Sequence, residues 1–298
     1  MLNNRKREIR IQADSFREKC KISRYGILDL FKECERLSYK VFRYPLGRNA
    51  DLGFTLKRGE DIIIFINSSI RLSREIFTLA HEIGHIILHF REKNSFIENN
   101  VTIAGHSEDE KEQEANYFAA CLLMPSDEVE RFIDLELPDF EKDGLSGLDI
   151  ARIMSEFNVS YDVVLNRLES LGRIDSNQKT RLETERAEKR VGNLLKSIGG
   201  NAKLNIAGEE IVIPYEYIDY AIYNYNHKLI PRETLEKVLE YYNFSMDDIN
   251  DKLVDFSDEE EDLNDLISGV WLPFQYNDRS FAVPYGKRVL SVGRYDPE

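Results

Sequence analysis

"LAHEIGHIILH", residues Leu79 to His89, decides how the rest of the chain is read. Three of the protein's five histidines stand four residues apart here, at 81, 85 and 89. On an α-helix, residues four apart share a face, one turn above another. His81-Glu82-x-x-His85 therefore lets two imidazoles reach one ion, the pattern of a zinc-binding helix. Glu82 is rotated about 100° from His81 and stays out of that pair. It reaches instead a water on the ion's open side, where a carboxylate acts as general base. Ile83, Ile86, Ile87 and Leu88 sink the charged trio in a core helix. Buried charges need partners, and a metal ion is one. His89 lies about 6 Å of rise beyond His85. A straight helix leaves it a helix-end role, away from that ion.

The third ligand must come from elsewhere, and a carboxylate suits. "SEDEKEQEANYFAACLLMP", Ser107 to Pro125, crowds Glu108, Glu110, Glu112 and Glu114 into the first turns of a second helix. Glu110 stands three residues after Ser107, as in a capping box. From Ala115 onward the helix is apolar almost all round, so its later turns are buried. Glu114 is the acid nearest that buried stretch and least explained by capping. Periodicity does not separate it from Glu112, and Glu110 is the further alternative. Asn116 is placed either to orient a ligand or to satisfy local backbone. His106 and Tyr117 flank this helix and are candidate donors to a developing oxyanion.

Around these helices the pattern mixes helices with a small sheet. Ile9 to Leu37 is helical with a turn near Gly26. "YKVFRYPLG" predicts a short strand, and "GFTLKRGEDIIIFINSS" a hairpin of Phe54–Lys57 with Ile62–Ile66. Ser73 is a candidate cap for the metal helix, and Ile62–Ile66 is expected to lie over it as a sheet edge open to an added substrate strand. "LPDFEKDGLSG" reads as a linker, Leu148–Gly172 as two helices turning at Asn158, and Asp175–Ser197 as one charged helix. "IGGNAKLNIAGEE" is a second linker. Two or three helices run from Pro214 to about Leu253, and an acidic run at Asp255–Asp265 precedes an aromatic end.

The 298 residues carry a formal charge of −14 and a pI near 5.0, which argues against direct nucleic-acid binding. No apolar run reaches the roughly 20 residues that span a membrane. The basic N-terminus has no apolar core behind it, and Cys20, Cys34 and Cys121 are widely spaced. Both features point to a reducing cytoplasm.

"HEIGHIILH" followed by "EANYFAACLLMP" resembles the ImmA/IrrE family of zinc metallo-endopeptidases. "IRIQADSFREK", "YPLG" and "IIIFINSS" are similar to that family's N-terminal helices and hairpin, and the likeness covers about residues 9–175. With the element pattern, it implies an α+β, mainly helical chain. Residues 1–140 would form a zincin-like metalloprotease core with a small mixed or antiparallel sheet. A helix-turn-helix-like segment and charged helix would follow at 141–200, then a helical, aromatic-rich C-terminal domain at 201–298. The resemblance implies one Zn²⁺ held by His81, His85 and Glu114, with Glu82 as general base. It also implies a cytoplasmic protein target, a DNA-binding repressor of a mobile element or stress response. The alternative is a non-catalytic zinc-containing regulator that works through protein contacts.

"IMSEFNVSYDVVLNRLESLG" is similar to the helix-turn-helix segment that usually follows the protease core. Its potential base-contacting residues, Asn166 and Arg167, stand among acids, and Val163, Val164 and Leu168 favour packing on the core. The dense tyrosines 215, 217, 220, 223 and 225 favour a helical core over a partner surface. His227 is most simply a helix-end residue.

Overall fold

The computed structural model describes residues 1–58, 61–90, 110–137, 144–254, 271–276 and 279–284. The expected cap at Ser107, most of the first linker, the acidic run and His106 lie outside them.

The apolar run at 62–66 builds the middle of a three-stranded sheet. β1 (Lys40–Tyr44), β2 (Gly53–Arg58) and β3 (Asp61–Asn67) stand in the order β1-β3-β2, with β3 antiparallel to β2 and parallel to β1. Ile63, Ile64, Phe65 and Ile66 are all buried. A strand covered on both faces carries a continuous apolar run rather than an alternating one. The expectation that β3 is the sheet edge is therefore overturned; β1 and β2 are the outer strands. Arg43 on β1 exchanges both backbone hydrogen bonds with Val212, at 2.9 Å each, so part of that edge is covered.

Two helices, α1 (Asn3–Arg17) and α2 (Leu30–Arg36), precede the sheet, and α3 (Leu72–His89) carries the histidine motif. α3 starts before Ser73, which is buried and gives no cap. Its first N–H, of Leu72, is taken by the carbonyl of Ile206 at 3.0 Å. The cap is supplied by distant backbone, and a helix N-terminus needs only an acceptor. Arg43 also grips the buried Glu75 of α3 through Nε at 3.0 Å and Nη2 at 2.9 Å.

α4 (Glu110–Leu123) and α5 (Ser126–Glu136) follow, parted at Pro125. α6 (Gly147–Phe157) opens on a capping box of Ser146 and Asp149 and ends on Asn158, whose φ of 55° is the left-handed turn expected there. α7 (Tyr161–Ser170) completes the two-helix segment. The charged stretch is two helices, α8 (Ser176–Lys189) and α9 (Val191–Ser197), broken at Arg190 with φ of 59°. Opposite-charge pairs four apart favour a helix, but they carry no signal for this break.

One core joins the helices of this unit with β1 and β3. Phe16, Ile64, Ile83, Phe118, Leu122, Met154, Leu168, Leu182 and Leu204 belong to the same buried cluster, and Met1–Val212 is one compact unit. The two-helix segment is packed inward. Arg167 is 5% exposed, and its Nε donates to the carbonyl of Met124 at 2.8 Å. Asn166 accepts from Lys179 at 2.8 Å. From the other side, Arg17 Nη1 donates to the carbonyl of Leu122 at 3.2 Å. Two buried guanidinium groups thus serve carbonyls at the end of α4 that the helix itself leaves without donors.

The second unit, Ile213–Glu298, holds α10 (Tyr217–Asn226), α11 (Arg232–Tyr241) and a hairpin of β4 (Trp271–Tyr276) with β5 (Arg279–Pro284). Its tyrosines divide. Tyr217 is buried with Ile218 and Ile222, whereas Tyr215 is 63% exposed and Tyr223 is 42% exposed. The core assignment therefore holds for Tyr217 and fails for those two. His227 ends α10, its Nδ1 2.7 Å from the carbonyl of Tyr223. Among the described residues no helix is long and apolar enough to cross a membrane. The protein is α+β and mainly helical, as the pattern implied.

Candidate metal centre

The site forms where α3 and α4 press together. A Cβ added to Gly84 would stand 3.1 Å from Ala115 Cα and 3.2 Å from Phe118 Cβ, tighter than ordinary contact. Glycine therefore sets the closeness of the two helices, and with it the reach of α4's acids to the histidines. Gly84→Val is expected to push α4 away, costing about 1–3 kcal/mol as overpacking does and weakening metal uptake. Thermal unfolding and a chelator competition on the same protein check both effects.

His81 and His85 turn their Nε2 atoms toward each other at 2.9 Å. The carboxylate of Glu112 closes the group, with Oε2 3.3 Å from His81 Nε2 and Oε1 3.2 Å from His85 Nε2. All three residues are buried, and one donor atom from each lies within 4.8 Å of the others. One turn beyond Glu112, Asn116 sets its Oδ1 3.0 Å from His81 Nδ1. An amide oxygen only accepts, so the proton of His81 sits on Nδ1 and its Nε2 lone pair faces the centre. Glu112 Oε2 is buried without a hydrogen-bond donor among the described residues. Lone pairs and a carboxylate crowded in a dry pocket repel unless a cation lies among them. Two imidazole nitrogens and a carboxylate suit a divalent transition ion. The residues present fit the group.

Glu114, expected as the third ligand, is not the acid brought to the histidine pair. Positions 112 and 114 are about 200° apart around a helix. Glu112 shares the inward face with Asn116, and Glu114 turns elsewhere. Arg5 grips Glu114 from α1, Nε to Oε1 at 2.7 Å and Nη2 to Oε2 at 2.5 Å, and His89 Nε2 touches Oε2 at 3.1 Å. The Arg5 contact is the main reason the Glu114 carboxyl is held below its usual range. Glu110 is exposed at the head of α4. Tyr117, proposed as an oxyanion donor, faces α1 instead: Lys6 Nζ lies 5.8 Å over its ring. His106 lies outside the described residues.

Glu82 is buried beside the pair, and its Oε2 accepts from Thr55 Oγ1 on β2 at 2.7 Å. His89 has both ring nitrogens engaged, Nδ1 with His85 Nδ1 at 3.0 Å and Nε2 with Glu114. Burial pushes its imidazole below the ordinary value. Sequence reasoning missed Thr55, Gly84 and Arg5. The available signal for Glu112 was Asn116 four residues on, a polar partner on the same helical face.

The peptidase family model described as the IrrE N-terminal-like domain matches residues 34–169, which contain both helices of the site. The chain is also 33% identical over 115 residues to the "Uncharacterized immunity region protein 2" of Bacillus phage phi105, an alignment spanning 39% of this chain and 70% of that protein. A family match across the whole histidine–carboxylate arrangement, joined to this phage kinship, places the chain in the ImmA/IrrE peptidase family.

Proposed function

We propose that the protein is a zinc-dependent endopeptidase whose ion is held by His81, His85 and Glu112. One observation carries this reading: three buried donors converge, with the carboxylate of Glu82 fixed beside them. When bound, Zn²⁺ supplies Lewis acidity, which makes a water easier to deprotonate and a peptide carbonyl easier to attack. Glu82 takes the proton of the attacking water and returns it to the leaving amine. Thr55 holds Glu82 in that position by donating to Oε2. Asn116 keeps the His81 proton on Nδ1, away from the ion. The substrate strand would add along β2, since β3 is central and β1 is bridged to Val212. Among the described residues, only β3 pairs with β2.

The proposed substrate is a cytoplasmic DNA-binding repressor of a mobile element, a proposal supported by the phage immunity-region relative. Arg167 is buried on the carbonyl of Met124, which supports protein rather than nucleic acid as the partner; Asn166 is exposed and bonds Lys179. The non-catalytic alternative needs a fourth protein ligand, and His89 does not supply it, its nitrogens being bonded elsewhere. To test the reading, the purified protein is incubated with candidate DNA-binding repressors, beginning with any that is encoded beside its gene. A single cut is expected, abolished by chelation and restored by stoichiometric Zn²⁺. Cutting that continues in excess chelator would refute it.

A further inference from the structure

Four side chains run in a line away from the metal centre: His85, His89, Glu114 and Arg5. Each link is within hydrogen-bond distance, and the hydrogen-bonding capacity of each group fixes the next. A guanidinium only donates, and Arg5 spends two donors on Glu114. The carboxylate of Glu114 then only accepts, so the N–H of a neutral His89 must be on Nε2, facing it. That leaves Nδ1 of His89 with a lone pair, and the atom 3.0 Å away, Nδ1 of His85, must carry the proton between them. A neutral imidazole has one N–H, so Nε2 of His85 keeps its lone pair toward the centre. The opposite order would place a proton on His85 Nε2, where an ion has to bind.

We propose that Arg5, Glu114 and His89 form a positioning relay that fixes the tautomer and ring orientation of His85 for the metal. It rests on the zinc reading above. The relay gives Glu114 and His89 the place that the ligand geometry denies them. It also gives α1 a part in the site, because Arg5 lies outside the residues 34–169 that match the family domain. Asn116 does the same for His81 with a single residue; His85 needs three, because its partner is a second histidine whose own tautomer has to be set.

The test compares full-length wild type with Glu114→Ala, Arg5→Ala, Arg5→Lys and His89→Phe, and with Glu112→Ala as the ligand control. Zinc affinity is read by chelator competition, the ligand field by the visible spectrum of the Co²⁺-loaded protein, and folding by the thermal midpoint of the metal-free protein. Glu114→Ala, Arg5→Ala and His89→Phe are expected to bind zinc roughly 10–100-fold more weakly, the usual effect of losing an outer partner. Their Co²⁺ spectra should keep wild-type intensity and their metal-free midpoints should hold. Arg5→Lys keeps a cation on Glu114 and should recover part of the loss. Unchanged affinity in Glu114→Ala and His89→Phe, with binding lost in Glu112→Ala, would overturn the relay and spare the metal site. A loss in Glu114→Ala as deep as in Glu112→Ala would make Glu114 a ligand and overturn it too. Affinity that falls only in step with the midpoint would reduce these residues to packing. No zinc uptake by wild type would remove the underlying reading itself.

Discussion

Glu82→Gln protein should retain one zinc per chain and lose cleavage by a factor on the order of 10²–10⁴, the usual contribution of a positioned general base. The amide is nearly isosteric with the carboxylate, and its oxygen can still accept from Thr55 Oγ1, which now lies 2.7 Å from Glu82 Oε2. What it cannot do is take a proton at neutral pH. Glu82 is 1% exposed, so bulk water offers little substitute base at that position. Metal analysis and a time course of repressor cleavage, run on the same preparation, separate the two effects. Wild-type cleavage by the variant would remove Glu82 from the chemistry. The inactive variant should also retain an uncut target, which makes it suitable bait for the natural substrate.

The second large effect is expected at Glu112. Glu112→Ala removes one of three donors and leaves His81 and His85 alone with the ion. Zinc affinity should fall by more than the roughly 10–100-fold that an outer partner is worth, and cleavage should fall with it. The metal-free variant should be at least as stable as metal-free wild type. It no longer buries a carboxylate oxygen without a donor, and such an atom costs about 1–3 kcal/mol. Equilibrium unfolding in chelator, set beside zinc competition, reads both signs. Tight zinc binding by Glu112→Ala would return the third-ligand role to another acid.

The features legible in sequence were those set by local periodicity. A spacing of four on an apolar helix was enough for His81 and His85. The hairpin of β2 and β3 followed from a strand pattern broken at a glycine turn, and Asn158 announced the left-handed end of α6. The misplaced features were those decided by contacts between distant segments. Which acid faces the histidines depends on the rotation of α4 against α3, which close packing at Gly84 and Ala115 sets. Ser73 looked like a cap, but the acceptor came from Ile206, far along the chain. β3 looked like an edge because hairpin strands are adjacent in sequence, whereas β1 joins on the other side in parallel. Arg5 offered no signal at all; a single arginine on an exposed helical turn is ordinary until its partner is known.

The grip of Arg17 and Arg167 on the far end of α4 has a consequence for modularity. The helix that presents Glu112 is anchored by residues on both sides of it in the chain, one near the start and one beyond the first linker. Cutting the gene after α5 would strip away Arg167 and with it the side-chain donor to the carbonyl of Met124. A fragment ended at that seam would lose the anchor of its own carboxylate donor. The smallest transferable piece accordingly runs on to Val212, and the two-helix motif travels with the chemistry as its buttress.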